Sequence, residues 1–190
     1  MKKLSCFLIL LMSLSAICQN QKSFTLDIDQ SVINWKGTYA FQFSEHSGTV
    51  KFKKGSLITT NDHISDGSFV IDMNSISNED YRNNVGPVEH LKNDDFFDVP
   101  KYPEALLIIQ KVSYFEADNQ HKMEANLTIK GITKPIEFWA TVDGTTQTMS
   151  TRFKIDRQRW GISYNNKLKN HAISDAIEFE VFLEFKNEVN

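Results

Sequence analysis

Apolar and polar residues alternate along most of this chain. Over residues 177–186, Ile177, Phe179, Val181, Leu183 and Phe185 take every second position, and Glu178, Glu180, Phe182, Glu184 and Lys186 fill the gaps. A period of two puts successive side chains on opposite faces of a strand, so this segment reads as a β-strand with one apolar and one wet face. The same alternation sets Ile136, Phe138, Ala140 and Val142 against Glu137, Trp139, Thr141 and Asp143. It also sets Phe69, Ile71 and Met73 against Ser68, Val70 and Asp72, and Val50 and Phe52 against Lys51 and Lys53. Turn-forming residues punctuate these runs at Gly55, Asn61-Asp62, Asp66-Gly67, Asp118-Asn119, residues 131–135 and Asp143-Gly144. The pattern predicts about eight strands, starting near Phe24, Ile33, Thr49, Ser68, Leu106, Met123, Ile136 and Met149, with a further run from Ile177. An antiparallel sheet of that size that hides one face closes into a barrel or folds into a sandwich.

Two stretches break the alternation. Across residues 77–95, Ser77 followed by Asp80 is a helix-start signal, Gly86-Pro87 interrupts, and Pro87 can open a second short helix through His90 and Leu91. This predicts a short helical insert beside the sheet. Residues 105–109 are apolar at consecutive positions, which implies cover on both faces, and the insert is the expected cover.

The ends and the charge narrow the class. Met1-Lys2-Lys3, an apolar run from Leu4, and small residues through Ala16 and Cys18 read as a signal peptide over residues 1–18, too short to span a bilayer. Cleavage after Cys18 leaves Gln19 first, and the expected product is one domain over residues 19–190, periplasmic or secreted, without stable membrane insertion. A lipidated Cys18 is the rival reading; Ile17 before it is bulky where such signals want a small residue. Both cysteines, Cys6 and Cys18, fall in the leader, so the mature domain is expected to have no disulfide, thiolate metal site or cysteine nucleophile. Without Lys2 and Lys3 the chain has 19 basic against 24 acidic residues, a net charge of −5, which argues against nucleic acid as a partner.

Four blocks add a resemblance. Residues 90–103, HLKNDDFFDVPKYP, combine a short helix, paired aromatics and two prolines. LTIKGITKP follows at residues 127–135, FKIDR with WGI at residues 153–162, and ISDAIEFEV at residues 173–181. In this order they resemble the YceI family of exported, lipocalin-like proteins, over nearly all of the chain after residue 24. The resemblance implies an all-β, lipocalin-like eight-stranded antiparallel barrel with a short helical insert. It also implies a lumen that takes up a long polyisoprenoid chain, with the polar head toward the open end. The stretches over residues 77–89 and 163–172 depart from the simplest members of the family and leave the identity of the ligand open.

Alternation alone favours a barrel filled by its own side chains, since about eight strands enclose just enough space for them. The resemblance reverses that order. It implies a non-catalytic carrier of a polyisoprenoid or isoprenoid quinone; no cofactor is expected, and the oligomeric state stays open, a dimer among the options. Its expected lumen residues are Trp35, Phe52, Phe69, Ile71, Met73, Ile129, Phe138, Ala140, Phe153, Phe179, Val181 and Leu183. Arg157 and Lys134 are candidate head-group contacts, because guanidinium and ammonium groups pair with phosphate, although an arginine at a strand end more often packs or pairs structurally. Two rivals stay open: a ligand-free filled barrel acting in stress response or through its loops, and a lipid-modifying enzyme using His90 or Asp94 as acid or base.

The remaining chemistry is sparse. His90 and Asp94, four apart on a helix, with Asp95 and Asp98 nearby, have metal-ligand spacing, but acidic residues at a helix end more commonly cap backbone groups. No metal is expected. His46, His63, His121 and His171 sit in polar contexts without paired spacing and are expected at the surface. No nucleophile elbow, phosphate-binding glycine loop or isolated carboxylate pair is present to carry catalysis.

Overall fold

The structure is a computed structural model and describes residues 20–39, 45–78, 87–163 and 173–187. Residues 1–18, the expected signal peptide, the start signal at Asp80 and residues 164–172, with His171, lie outside the described residues. Nine strands form one antiparallel sheet: β1 Gln21–Leu26, β2 Val32–Tyr39, β3 Glu45–Thr60, β4 His63–Asp72, β5 Glu104–Phe115, β6 Gln120–Ile129, β7 Ile132–Asp143, β8 Thr148–Asp156 and β9 Ile173–Asn187. β4 pairs back onto β3, which closes the sheet. Nine strands occupy eight positions because β1 and β2 are two halves of one interrupted strand. Both run antiparallel to β3, β2 against its first half and β1 against its last residues, and both also pair with β9. The molecule is an eight-stranded antiparallel barrel with a short helical insert.

The interruption is held by hydrogen bonds. Asp27 N–H donates to the Glu184 carbonyl at 2.8 Å, and the Ser31 hydroxyl accepts from Glu184 N–H at 3.0 Å. The Asp27 carboxylate meets Lys186 Nζ at 2.6 Å, and that hydrogen bond holds its pKa below the usual carboxylate value. Two-residue hairpins join β3 to β4 and β6 to β7. Asn61 and Asp62 have φ of 53° and 63°, and Lys130 and Gly131 have φ of 51° and 72°, the left-handed backbone that matches strand twist in such turns.

The alternation in sequence becomes the barrel wall. Ile136, Phe138, Ala140, Ile177, Val181, Leu183 and Phe185 are buried, whereas Glu137, Trp139, Thr141, Glu180, Phe182 and Lys186 are exposed. Val70, on the polar side of the β4 pattern, is also buried.

Two turn assignments are corrected. Gly55 lies within β3 and Asp66-Gly67 within β4. These glycines are there for close approach. A Cβ on Gly55 would sit 2.7 Å from a Phe69 ring carbon, and one on Gly67 would sit 2.8 Å from Ile109 Cδ1. Their composition looks like a turn because the interior needs the same small residue that a turn does.

The helical insert is present as α1, Pro87–Lys92. The expectation that it covers the outer face of residues 105–109 does not hold. Val88 joins the core and Leu91 packs against it, so α1 serves the barrel interior, while Leu106 and Ile108 are only half-buried. The five consecutive apolar positions on β5 therefore reflect an inward row, Ala105, Leu107 and Ile109, interleaved with the partly exposed Leu106 and Ile108.

Candidate functional site: a cavity open at one end of the barrel

The two ends of the barrel differ. At one end lie the hairpins β3–β4, β5–β6 and β7–β8, and here Leu26, Leu57, Met123, Ala125 and Phe185 pack into the core. Phe69 packs edge-on against Phe185, with ring centroids 6.3 Å apart. At the other end lie the β6–β7 hairpin and the connections that leave β2, β4 and β8, and a cavity of about 440 Å³ runs inward from there. That size falls within the range of small-molecule sites. Thr38 and His90 both line the cavity and are exposed, so it reaches the surface between the end of β2 and α1.

The walls are mostly rings and branched aliphatics. Phe138 stacks on Phe153 at 5.0 Å, and Phe153 lies 5.6 Å from Phe179. Of the twelve lumen residues expected from sequence, eleven line the cavity: Trp35, Phe52, Phe69, Ile71, Met73, Ile129, Phe138, Phe153, Phe179, Val181 and Leu183. Ala140 is buried but lies outside the lining.

The motif blocks build the open end. In the 90–103 block, Leu91, Phe96 and Phe97 line the cavity, and Phe96 meets Phe97 edge-on at 5.0 Å. The Asp98 carbonyl accepts from Tyr102 N–H at 2.8 Å, which turns the tyrosine ring onto the β6–β7 hairpin. A Cβ on Gly131 would lie 2.7 Å from that ring, so the KYP and KG elements of separate blocks fit one contact. Lys130 Nζ donates to the Asp94 carbonyl at 2.8 Å. Trp160 is fully buried and its indole N–H donates to the Leu127 carbonyl at 3.0 Å, fastening the 3-10 turn Arg157–Trp160 under the same side of the barrel.

The head-group candidates separate. Arg157 lines the cavity but is 1% exposed, and its guanidinium donates to the Ser174 and Ile162 carbonyls and to Asp175 Oδ1 at 3.0 Å. It is a structural tie between the 157–162 turn and the start of β9. Lys134 is half-buried on β7 and does not line the cavity. Among the described residues, no three His, Cys, Asp or Glu side chains gather as a metal site.

Two histidines depart from the surface expectation. His46 is half-buried on β3 and lines the cavity mouth, with Nε2 3.0 Å from Tyr39 Oη. His121 lies on β6 at the filled end, 4.6 Å ring to ring from Tyr114, and burial, with the nearby His63 as a smaller cause, lowers its pKa. Sequence reading missed Tyr39, His46 and Ser174 as cavity residues because each sits near a strand end, where alternation fades. The usable signal was the inward parity of Trp35 and Val50, extended outward along β2 and β3.

With this geometry established, residues 24–185 match the YceI-like domain. The chain belongs to the YceI family. A UPF0312 protein of Pseudomonas putida is 38% identical over 56 residues, 30% of this chain and 29% of that protein. Another, from Pseudomonas savastanoi pv. phaseolicola, is 27% identical over 114 residues, 58% of this chain and 47% of that protein. The matched stretches thus span less than half the length of these relatives. Among solved structures, Burkholderia cenocepacia BcnA superposes with a TM-score of 0.69 at 16% identity, covering 83% of this chain and 98% of that one. A Campylobacter jejuni YceI protein superposes with a TM-score of 0.59 at 24% identity, covering 79% and 89%. At these identities the likeness is one of fold.

Proposed function

We propose that this protein is a non-catalytic carrier, exported to the periplasm or beyond, that holds the apolar chain of a polyisoprenoid-type lipid in the barrel cavity. The observation that carries the reading is a ring-lined cavity that opens at one end of the barrel and is closed by packed side chains at the other. A protein needing only a stable core has no use for the space, because unfilled volume forfeits packing contacts. An apolar chain drawn into it gains roughly 25 cal/mol for each Å² removed from water, less the cost of ordering the chain. The dead end opposite the mouth means the ligand enters and leaves by one route, tail first. Arg157, the one charged side chain among the described lining residues, is tied to Asp175 at 3.0 Å in a structural pair, which supports holding over turnover.

Native mass spectrometry of the purified protein, followed by lipid extraction, tests this. A co-purified apolar molecule released unchanged is the expected result. A protein that arrives empty and takes up no long-chain prenyl lipid from added vesicles or micelles would overturn it. Intact mass of the exported form is expected to start near Gln19, and a diacylated Cys18 would replace free release with membrane tethering.

A further inference from the structure

The cavity wall is mostly apolar, but among the described residues at its mouth one polar atom has no partner. His46 Nδ1 is shielded from solvent and has no hydrogen-bond partner, while Nε2 is engaged with Tyr39 Oη at 3.0 Å. The ring is held in place, since Tyr39 packs edge-on against it at 5.4 Å between centroids and Gly37 pairs with His46 across β2 and β3. A neutral imidazole has one donor and one acceptor nitrogen, so whichever role Nε2 plays toward the tyrosine, Nδ1 has the other role unfulfilled. Leaving a buried polar atom unmatched is unfavourable until a partner arrives.

Resting on the carrier reading, we infer that Tyr39–His46 is the contact for the ligand's head, and that this head is uncharged and carries a hydroxyl or carbonyl oxygen. Among the described residues, the lining favours an uncharged head. Among the described residues that form the cavity, Arg157 is the one permanently charged side chain, and Asp175 and two backbone carbonyls already take its guanidinium. Lys36, on the neighbouring strand, is paired with Glu45 at 2.6 Å. A diphosphate brought to this mouth would shed water without gaining a free cation from that lining, which is strongly unfavourable. A quinone carbonyl suits Nδ1 as donor. A prenol or phenol hydroxyl suits it in either role. The oxygen would stop at the mouth while its chain runs down toward Phe153 and Phe179.

The test uses the full exported chain and four probes of equal isoprenoid length: a polyprenyl benzoquinone, a polyprenol, a polyprenyl diphosphate and the linear polyprene hydrocarbon without a head. The wild type is expected to bind the quinone or the prenol more tightly than the diphosphate, and the stronger of the two identifies the head. His46→Phe keeps a ring at the mouth and removes the nitrogen. It is expected to weaken the preferred probe about tenfold, the worth of one hydrogen bond, while the hydrocarbon binds as before. Unchanged hydrocarbon binding also shows that the variant's cavity is intact. A diphosphate preference, an undiminished preferred probe, or an equal loss for all probes overturns the inference and leaves the carrier reading standing. If no probe binds the wild type, the carrier reading falls and this inference falls with it.

Discussion

The two ends of the barrel are built from the same strands and solve opposite problems. At the end formed by the β3–β4, β5–β6 and β7–β8 hairpins, Leu26, Leu57, Met123 and Phe185 belong to the buried core, and Gly55 and Gly67 yield their side-chain space to Phe69, Leu26 and Ile109. At the other end the space that such residues would fill is left open between Phe138, Phe153 and Phe179 and the cap formed by Leu91, Phe96 and Phe97. Each end also carries a histidine beside a tyrosine with a shielded, unpartnered Nδ1: His121 with Tyr114 where the barrel is solid, His46 with Tyr39 where it is hollow. The comparison shows that a filled core and an open cavity coexist in one barrel.

The contrast can be broken most forcefully at the solid end. Met123 is fully buried away from the cavity, so Met123→Ala is expected to lower unfolding free energy by about 2–5 kcal/mol, read by urea denaturation. Gly67→Ala brings its Cβ against Ile109 and Leu57, and the same measurement is expected to show a loss of about 1–3 kcal/mol. In the Met123 variant, whatever fraction remains folded should retain ligand, because Met123 lies outside the cavity lining.

The hollow end should respond the other way. Phe179→Gln places an amide on the cavity wall, where water can accompany it, so destabilisation should stay below about 1–3 kcal/mol, the range for burying an unsatisfied amide. Retained lipid should nevertheless fall at least about tenfold. The outward control Glu180→Gln should alter neither lipid content nor melting temperature. A large stability loss at Phe179 with no lipid in the wild type would mean that the cavity closes and the two ends are alike.

The smallest effect is one of pH. His121 has a lowered pKa in the folded state, chiefly through burial, so below the ordinary imidazole value the unfolded chain binds more protons than the folded one. Stability is therefore unaffected above that value and declines as pH falls through it toward the folded-state pKa. His121→Phe is expected to flatten this decline in urea titrations run between pH 7.5 and 5, a window set around the ordinary imidazole pKa of about 6.5. An unchanged slope would show that burial at the solid end does not bear on this ring.

The strand count, the barrel and its inward faces were legible in the chain because alternation is a local signal: Ile177 to Phe185 declare one apolar face whatever surrounds them. Eleven of the twelve proposed lumen residues line the cavity for the same reason, since parity along a strand decides which way a side chain points. Parity cannot say how far the facing wall lies. Whether an inward Phe meets Phe185 or meets empty space depends on strand tilt, on the break between β1 and β2, and on glycines whose role appears only when Phe69 and Ile109 lie against them. Gly55 and Gly67 read as turns for that reason, and residues 105–109 as doubly covered. The sequence by itself thus determined the family, the sheet and the inward row. Only the tertiary structure decided that one end is solid and the other hollow, that Arg157 is occupied by Asp175, and that His46 stands at the mouth, because each depends on distances between segments far apart along the chain.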